Sequence, residues 1–168
     1  KNVLKYGIYD QFGMNKEKLQ DLIMFKTSRS DDYMTFKDYI DQKPEEQKAI
    51  YYATGKSKHA ILSLPQMDVM KDKGYDVLLF TDEIDEFMIQ VLQNYQELPF
   101  KSIQQGETDL IDDAQKEVLK KKEKENKDIL KAIKKALKDK VKDVKLSARL
   151  KSSAVCLVSG EGLSLEME

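Results

Sequence analysis

Only one cysteine, one histidine and two arginines occur in the 168 residues, and each scarcity removes a class of function. The single Cys156 cannot form an internal disulfide, so the chain does not depend on an oxidising compartment. His59 lies on a polar stretch among lysines, far in sequence from Cys156, which leaves a Cys–His nucleophilic pair without support. No apolar run approaches the ~18 residues of a membrane-spanning helix, and no charged-then-apolar leader is present. A soluble, cytoplasmic protein with no membrane partner is the expectation.

Arginine scarcity bears on the charge pattern. Residues 114–151 hold 14 Lys and one Arg against six acids, a local charge of +9, while the remainder carries −10. Such a basic stretch suggests nucleic acid. Arg29 and Arg149 are the only arginines, however, and the basic run contains no aromatic residue for base stacking. A solvated lysine face is the better reading, with no nucleic-acid partner expected.

Glycine is missing where a nucleotide would need it. Gly55-Lys56-Ser57 stands between a strand and a helix, as a phosphate-binding loop would, but the position five residues earlier is Ile50. An ordinary strand-to-helix turn is expected.

What is present is a strand-and-helix alternation. Residues 1–43 read as short helical pieces, with periodic apolar positions at Leu19, Leu22, Ile23 and Phe25 and again at Phe36, Tyr39 and Ile40. Ala49–Thr54 is a strand, followed by a helical stretch from Ser57 that Pro65 interrupts and Gly74 terminates. Val77–Phe80 is a second strand and Leu98–Ile103 a third. Between these two, Ile84, Phe87, Met88, Val91, Leu92 and Tyr95 follow a 3.6-residue period, with Thr81 or Asp82 placed to cap the helix. Met67, Met70 and Met88 fall on core faces. The predicted fold is α/β: a small three-layer αβα unit over 44–112 with a three-stranded parallel sheet, preceded by the helical connector 1–43.

From residue 113 a second domain is expected to begin. Ala114–Lys140 is rich in helix formers, but Lys120–Asp128 contains no apolar residue, which also breaks any coiled-coil seam for a helical adaptor. Val144, Leu146, Ala148 and Leu150 then alternate with polar residues as a half-buried strand, and Ala154–Val158 reads as its neighbour. Together these predict a helix plus a partial α+β domain over 113–168.

The acids Asp82, Glu83, Asp85 and Glu86 could hold a hard cation or supply an acid and a base, as a small doubly wound enzyme or ligand-binding domain would place them. Helix starts are routinely acidic, and no histidine stands nearby to complete a metal set.

Four blocks in order carry a resemblance: Phe25-Lys26-Thr27-Ser28, the run Gln47 to Gly55, the run Gly74 to Glu86, and Val141 to Leu150. Together they resemble the ninety-kilodalton heat-shock chaperones, in their bacterial branch. The resemblance implies a fragment spanning the end of the middle domain and the start of the C-terminal domain of an ATP-driven homodimer that binds partly folded client proteins. It places the ATP and Mg site and a catalytic arginine before Lys1, and the dimerising helices after Glu168, so no catalytic residue, cofactor or metal is expected here. Client contacts carried over by position are Glu86, Phe87 and Gln90 on one element and Leu163 and Met167 on another. The family pattern often has Trp, Asn and Met where Phe87, Gln90 and Leu163 stand. Periodicity alone would instead make Phe87 part of the helix's core face. Cys156, in a segment that carries a modifiable cysteine near a hinge in some members, falls in an apolar run where burial would keep the thiol protonated.

Overall fold

The computed structural model describes residues 2–105, 113–147, 150 and 154–158. At its centre is β3 (Ile50–Thr54), all five residues of which are buried. It pairs in parallel with β4 (Leu78–Phe80) on one edge and β6 (Leu98–Ser102) on the other, with Tyr52 opposite Leu78 and Ile50 opposite Phe100. A strand bonded on both edges and covered on both faces can expose no side chain, which is why its sequence is apolar without alternation.

Two further pairings widen the sheet. β1 (Met24–Thr27) runs antiparallel to β4 and carries β2 (Met34–Thr35), while β5 (Asn94–Tyr95) forms a hairpin with β6. The order is β2-β1-β4-β3-β6-β5. The sheet is therefore mixed and six-stranded, wider than the three parallel strands expected from sequence.

Alternate residues of the central strands feed two separate cores. Ile50, Tyr52, Leu78 and Phe80 join Ile8 of α1 (Asn2–Tyr9), Phe36 and Tyr39 of α3 (Phe36–Gln42), and Met88, Ile89 and Leu92 of α6 (Ile84–Leu92). Tyr51, Ala53, Val77 and Leu79 join Ile61 of α4 (Lys58–Leu62) and Met67 and Met70 of α5 (Met67–Lys73). In the first core the rings of Phe25, Phe80 and Tyr52 form a chain with centroids 5.0 and 4.7 Å apart, each contact worth about 0.5–1.5 kcal/mol beyond its area. The three methionines read as core are 1% exposed or less.

Local signals explain several boundaries. Ser57 caps α4 by accepting from the Ala60 N–H, and Gly74 ends α5 in the left-handed region at φ 66°. Thr35 and Asp38 form a reciprocal capping box on α3. Tyr39 of that helix donates to the Asp76 carbonyl at 2.7 Å and accepts from Gln47 Nε2 and the Tyr51 N–H, tying α3 to the sheet.

The structure corrects the sequence reading at five places. Phe25 belongs to a strand, because the short helix α2 (Lys16–Leu19) and a 3₁₀ turn over Gln20–Leu22 end before it. α6 stops at Leu92, where Gln93 at φ 59° reverses the chain, so Tyr95 lies on β5. The N-cap of α6 is Glu83, one or two positions later than expected and without a side-chain cap bond, and the Asp85 carboxylate accepts from the Asp82 N–H at 3.1 Å. The single helix expected over Ala114–Lys140 divides at Asn126 into α7 (Asp113–Glu125) and α8 (Lys127–Leu137), followed by a 3₁₀ turn. Lastly, the described residues of 141–158 form no strand, and Cys156 is half-buried between exposed neighbours. Leu146 and Asp143 instead bond back to Glu123 and Lys134 of the two helices.

Candidate functional site

Of the residues carried over as client contacts, Glu86, Phe87 and Gln90 sit on α6, beside α1. The apolar period of α6 turns Ile84, Met88, Ile89 and Leu92 inward, each at most 5% exposed. Phe87 and Gln90 fall off that stripe: Gln90 is exposed and Phe87 half-buried. Phe87 is absent from both cores and packs its ring against Tyr9 of α1, centroids 5.7 Å apart and tilted by 57°. Glu86, by contrast, is only 8% exposed, so it is a poor contact for a partner. Leu163 and Met167 lie outside the described residues, and their distance from Phe87 is not part of the site's geometry.

The neighbouring surface of α1 is aromatic. Tyr6 and Tyr9 are 57% and 47% exposed, three positions apart on one helix face. Past them, Phe12 stands wholly in solvent at φ 55°, a backbone region that aromatic residues seldom adopt. The turn is held close to α6: a Cβ at Gly13 would lie 2.4 Å from Val91, so the position tolerates no side chain.

Beneath this edge lies a buried ion cluster. Lys5, on the core face of α1 with Ile8, is 1% exposed; its ammonium bonds Asp82 at 2.8 Å and Asp85 more closely still, and lies 4.6 Å from the centroid of the Phe25 ring. Burial raises the Asp85 carboxyl above its ordinary value, more than the adjacent Lys5 charge lowers it. Two of the four acids that could have formed a cation or acid–base site are thus committed to a lysine of this same chain. Among the described residues no group of three or more His, Cys, Asp or Glu could hold a metal. His59 is exposed.

Sequence reasoning missed Lys5 and Tyr9. A lysine one turn from Ile8 on the core side of a helix, matched to more acids than capping needs, was the available signal for the first. For Tyr9 the i, i+3 spacing with Tyr6 and Phe12 was available, but nothing local placed α1 against α6.

Comparison with known proteins adds to this geometry. A family model described as Hsp90 protein matches residues 1–168. A chaperone protein HtpG of Clostridium acetobutylicum is 48% identical over 165 residues, covering 98% of this chain and 26% of that protein. The HtpG of Bacillus subtilis is 44% identical over the same share. The chain thus spans about a quarter of the length of these relatives. Among solved structures, the middle domain of a Plasmodium falciparum heat shock protein superposes with a TM-score of 0.57 at 28% identity, over 61% of this chain and 43% of that one.

Proposed function

The chain belongs to the Hsp90 family, and on that premise we propose that it is a client-binding and motion-transmitting part of an ATP-driven cytoplasmic chaperone that works as a homodimer. In this reading residues 1–112 are the end of the middle domain and 113–168 the start of the C-terminal domain. ATP and Mg act elsewhere in the parent, and this chain by itself turns over no ATP.

The observation that carries the reading is the aromatic edge of α1 and α6. Phe87 is spared from the core that its own helix builds, and with Tyr9 it presents a half-open apolar surface beside exposed Gln90. Partly folded proteins expose apolar side chains, and an edge of this kind lets them bury area without requiring one fixed sequence. Of the residues carried over by position, half-buried Phe87 and exposed Gln90 are the ones that touch a client in this reading. Leu163 and Met167 are the further client contacts of this reading. Transmission of motion would run through the sheet and the α7–α8 rod, and it requires two populated arrangements of the parent.

The test is binding of a permanently unfolded client to the chain, followed by fluorescence anisotropy. Phe87→Ala is expected to weaken binding about fivefold or more, as truncation of an interface aromatic does. Unchanged affinity in that variant, together with a collapse of thermal stability, would make Phe87 a core residue and remove the patch.

A further inference from the structure

β3 and β4 are parallel neighbours that end level with each other, Thr54 opposite Phe80. The chain leaving β3 passes into α4 and α5, which cover one face of the sheet, while the chain leaving β4 passes into α6, which covers the other. Connections that diverge in this way leave a crevice beyond the carboxyl ends of the two strands, the place where open α/β sheets accept ligands. Here the crevice is a cavity of about 280 Å³.

Its lining is basic. Lys26 comes from β1, opposite Leu79 of β4, and Lys56, Ser57 and Lys58 come from the turn after β3, with Leu79 and Thr81 beside them. Lys58 is neutralised, its Nζ lying 2.9 Å from Asp31 Oδ1 and 3.1 Å from the Ser30 carbonyl. Lys26 rests 5.5 Å from the centroid of the Tyr33 ring, and neither it nor Lys56 has an ion pair among the described residues. Lys26, whose charge also acts on the Asp31 carboxylate, and Lys56, which has no ion pair among the described residues, thus border one cavity. Ser57 Oγ accepts from the Ala60 N–H at 3.2 Å, which leaves its own hydrogen free to donate, and Thr81 adds an exposed hydroxyl.

We propose that this crevice binds a phosphoryl group. A dianion with three accepting oxygens is attracted by both ammonium groups and can accept from both hydroxyls, and lysine serves phosphate as a point charge without needing the forked geometry of arginine. The volume falls just short of the range of about 300–1,000 Å³ for drug-sized ligands, so the site takes a phosphate ester by its head group. Lys56 and Ser57 therefore contribute side chains to an open crevice, where a glycine-rich loop would wrap the phosphate in backbone amides. The proposal stands apart from the chaperone reading. The phosphoryl group belongs either to a small organic phosphate or to a phosphorylated side chain of another protein.

The experiment is an amide NMR titration of the whole chain with inorganic phosphate, with a phosphoserine peptide and with the same peptide unphosphorylated. Saturable shifts are expected at residues 55–58 and 81, and Lys26→Ala/Lys56→Ala should weaken binding about tenfold or more while leaving the melting temperature unchanged. Tighter binding of the phosphopeptide than of phosphate assigns the site to phosphorylated protein; equal binding assigns it to small phosphates. The proposal is overturned if no probe saturates, if the unphosphorylated peptide binds as well, or if the shifts spread over the lysines of α7 and α8 and persist in the double variant.

Discussion

The Lys5 ammonium and the Asp82 carboxylate, 77 positions apart in sequence, meet at 2.8 Å beneath the junction of α1 and α6. Asp85 closes the cluster from the first turn of α6. Asp82 keeps partial access to solvent, but removing Lys5 strands the fully buried Asp85 carboxylate without water, a far larger penalty than the pair's own net stabilisation.

Lys5→Met should therefore lower unfolding free energy by about 3–5 kcal/mol, measured by chemical denaturation. Lys5→Met/Asp85→Asn should recover part of that loss, since the stranded charge is gone. A single-variant loss below about 1 kcal/mol, the range of exposed pairs, would show that water reaches the cluster.

Phe87→Ala should cost about 1–2 kcal/mol, below the ~3–5 kcal/mol of a fully buried phenylalanine, because the ring is half-buried against Tyr9. A double-mutant cycle with Tyr9→Ala should return a coupling of about 0.5–1.5 kcal/mol. Strictly additive losses would mean that the rings do not meet in solution.

Alkaline stability follows from the buried tyrosines. Burial pushes the Tyr51 and Tyr52 hydroxyls up to about 12, with the Tyr75 phenol and the Glu86 carboxylate adding respectively, and it raises Tyr39 further. Each keeps its proton longer in the native state than in the unfolded chain, so the stabilisation is complete below the ordinary value of 10.0 and is lost as pH rises through about 12. Denaturation midpoints should fall across that window, and Tyr51→Phe should flatten the decline. Phenolate absorbance that develops fully near pH 10 while the chain stays folded would contradict this.

Thr35→Ala should destabilise by about 1 kcal/mol through loss of the α3 cap, and Thr35→Ser should restore most of it. Equal midpoints for all three proteins would show that the box forms no better in the native state than in the unfolded one.

Legibility in the sequence tracked how local the cause was. β3, β4, β6 and α6 were readable because burial on both faces, or on one stripe, is written in contiguous residues. The terminators at Pro65 and Gly74 were readable for the same reason. β1 was misread because Leu19, Leu22, Ile23 and Phe25 keep a helical spacing although Leu22 ends up 55% exposed. β5 was hidden because a glutamine at φ 59° ends α6, and the two-residue turn at Gln96 and Glu97 takes positive φ without glycine or asparagine. The site divided likewise: the position of Phe87 was inferable, but its surroundings depended on Tyr9, which the fold brings from the far end of the chain.

Since β3 is sealed on both faces and hydrogen-bonded along both edges, no substitution along it can acquire a new partner without damaging the interior. Novelty is confined to the rims where strands give way to turns. Side chains there that neither cap a helix nor enter a core, such as Lys56, can be exchanged at little cost to folding, so members of one lineage could share an interior and still differ in what their rims recognise.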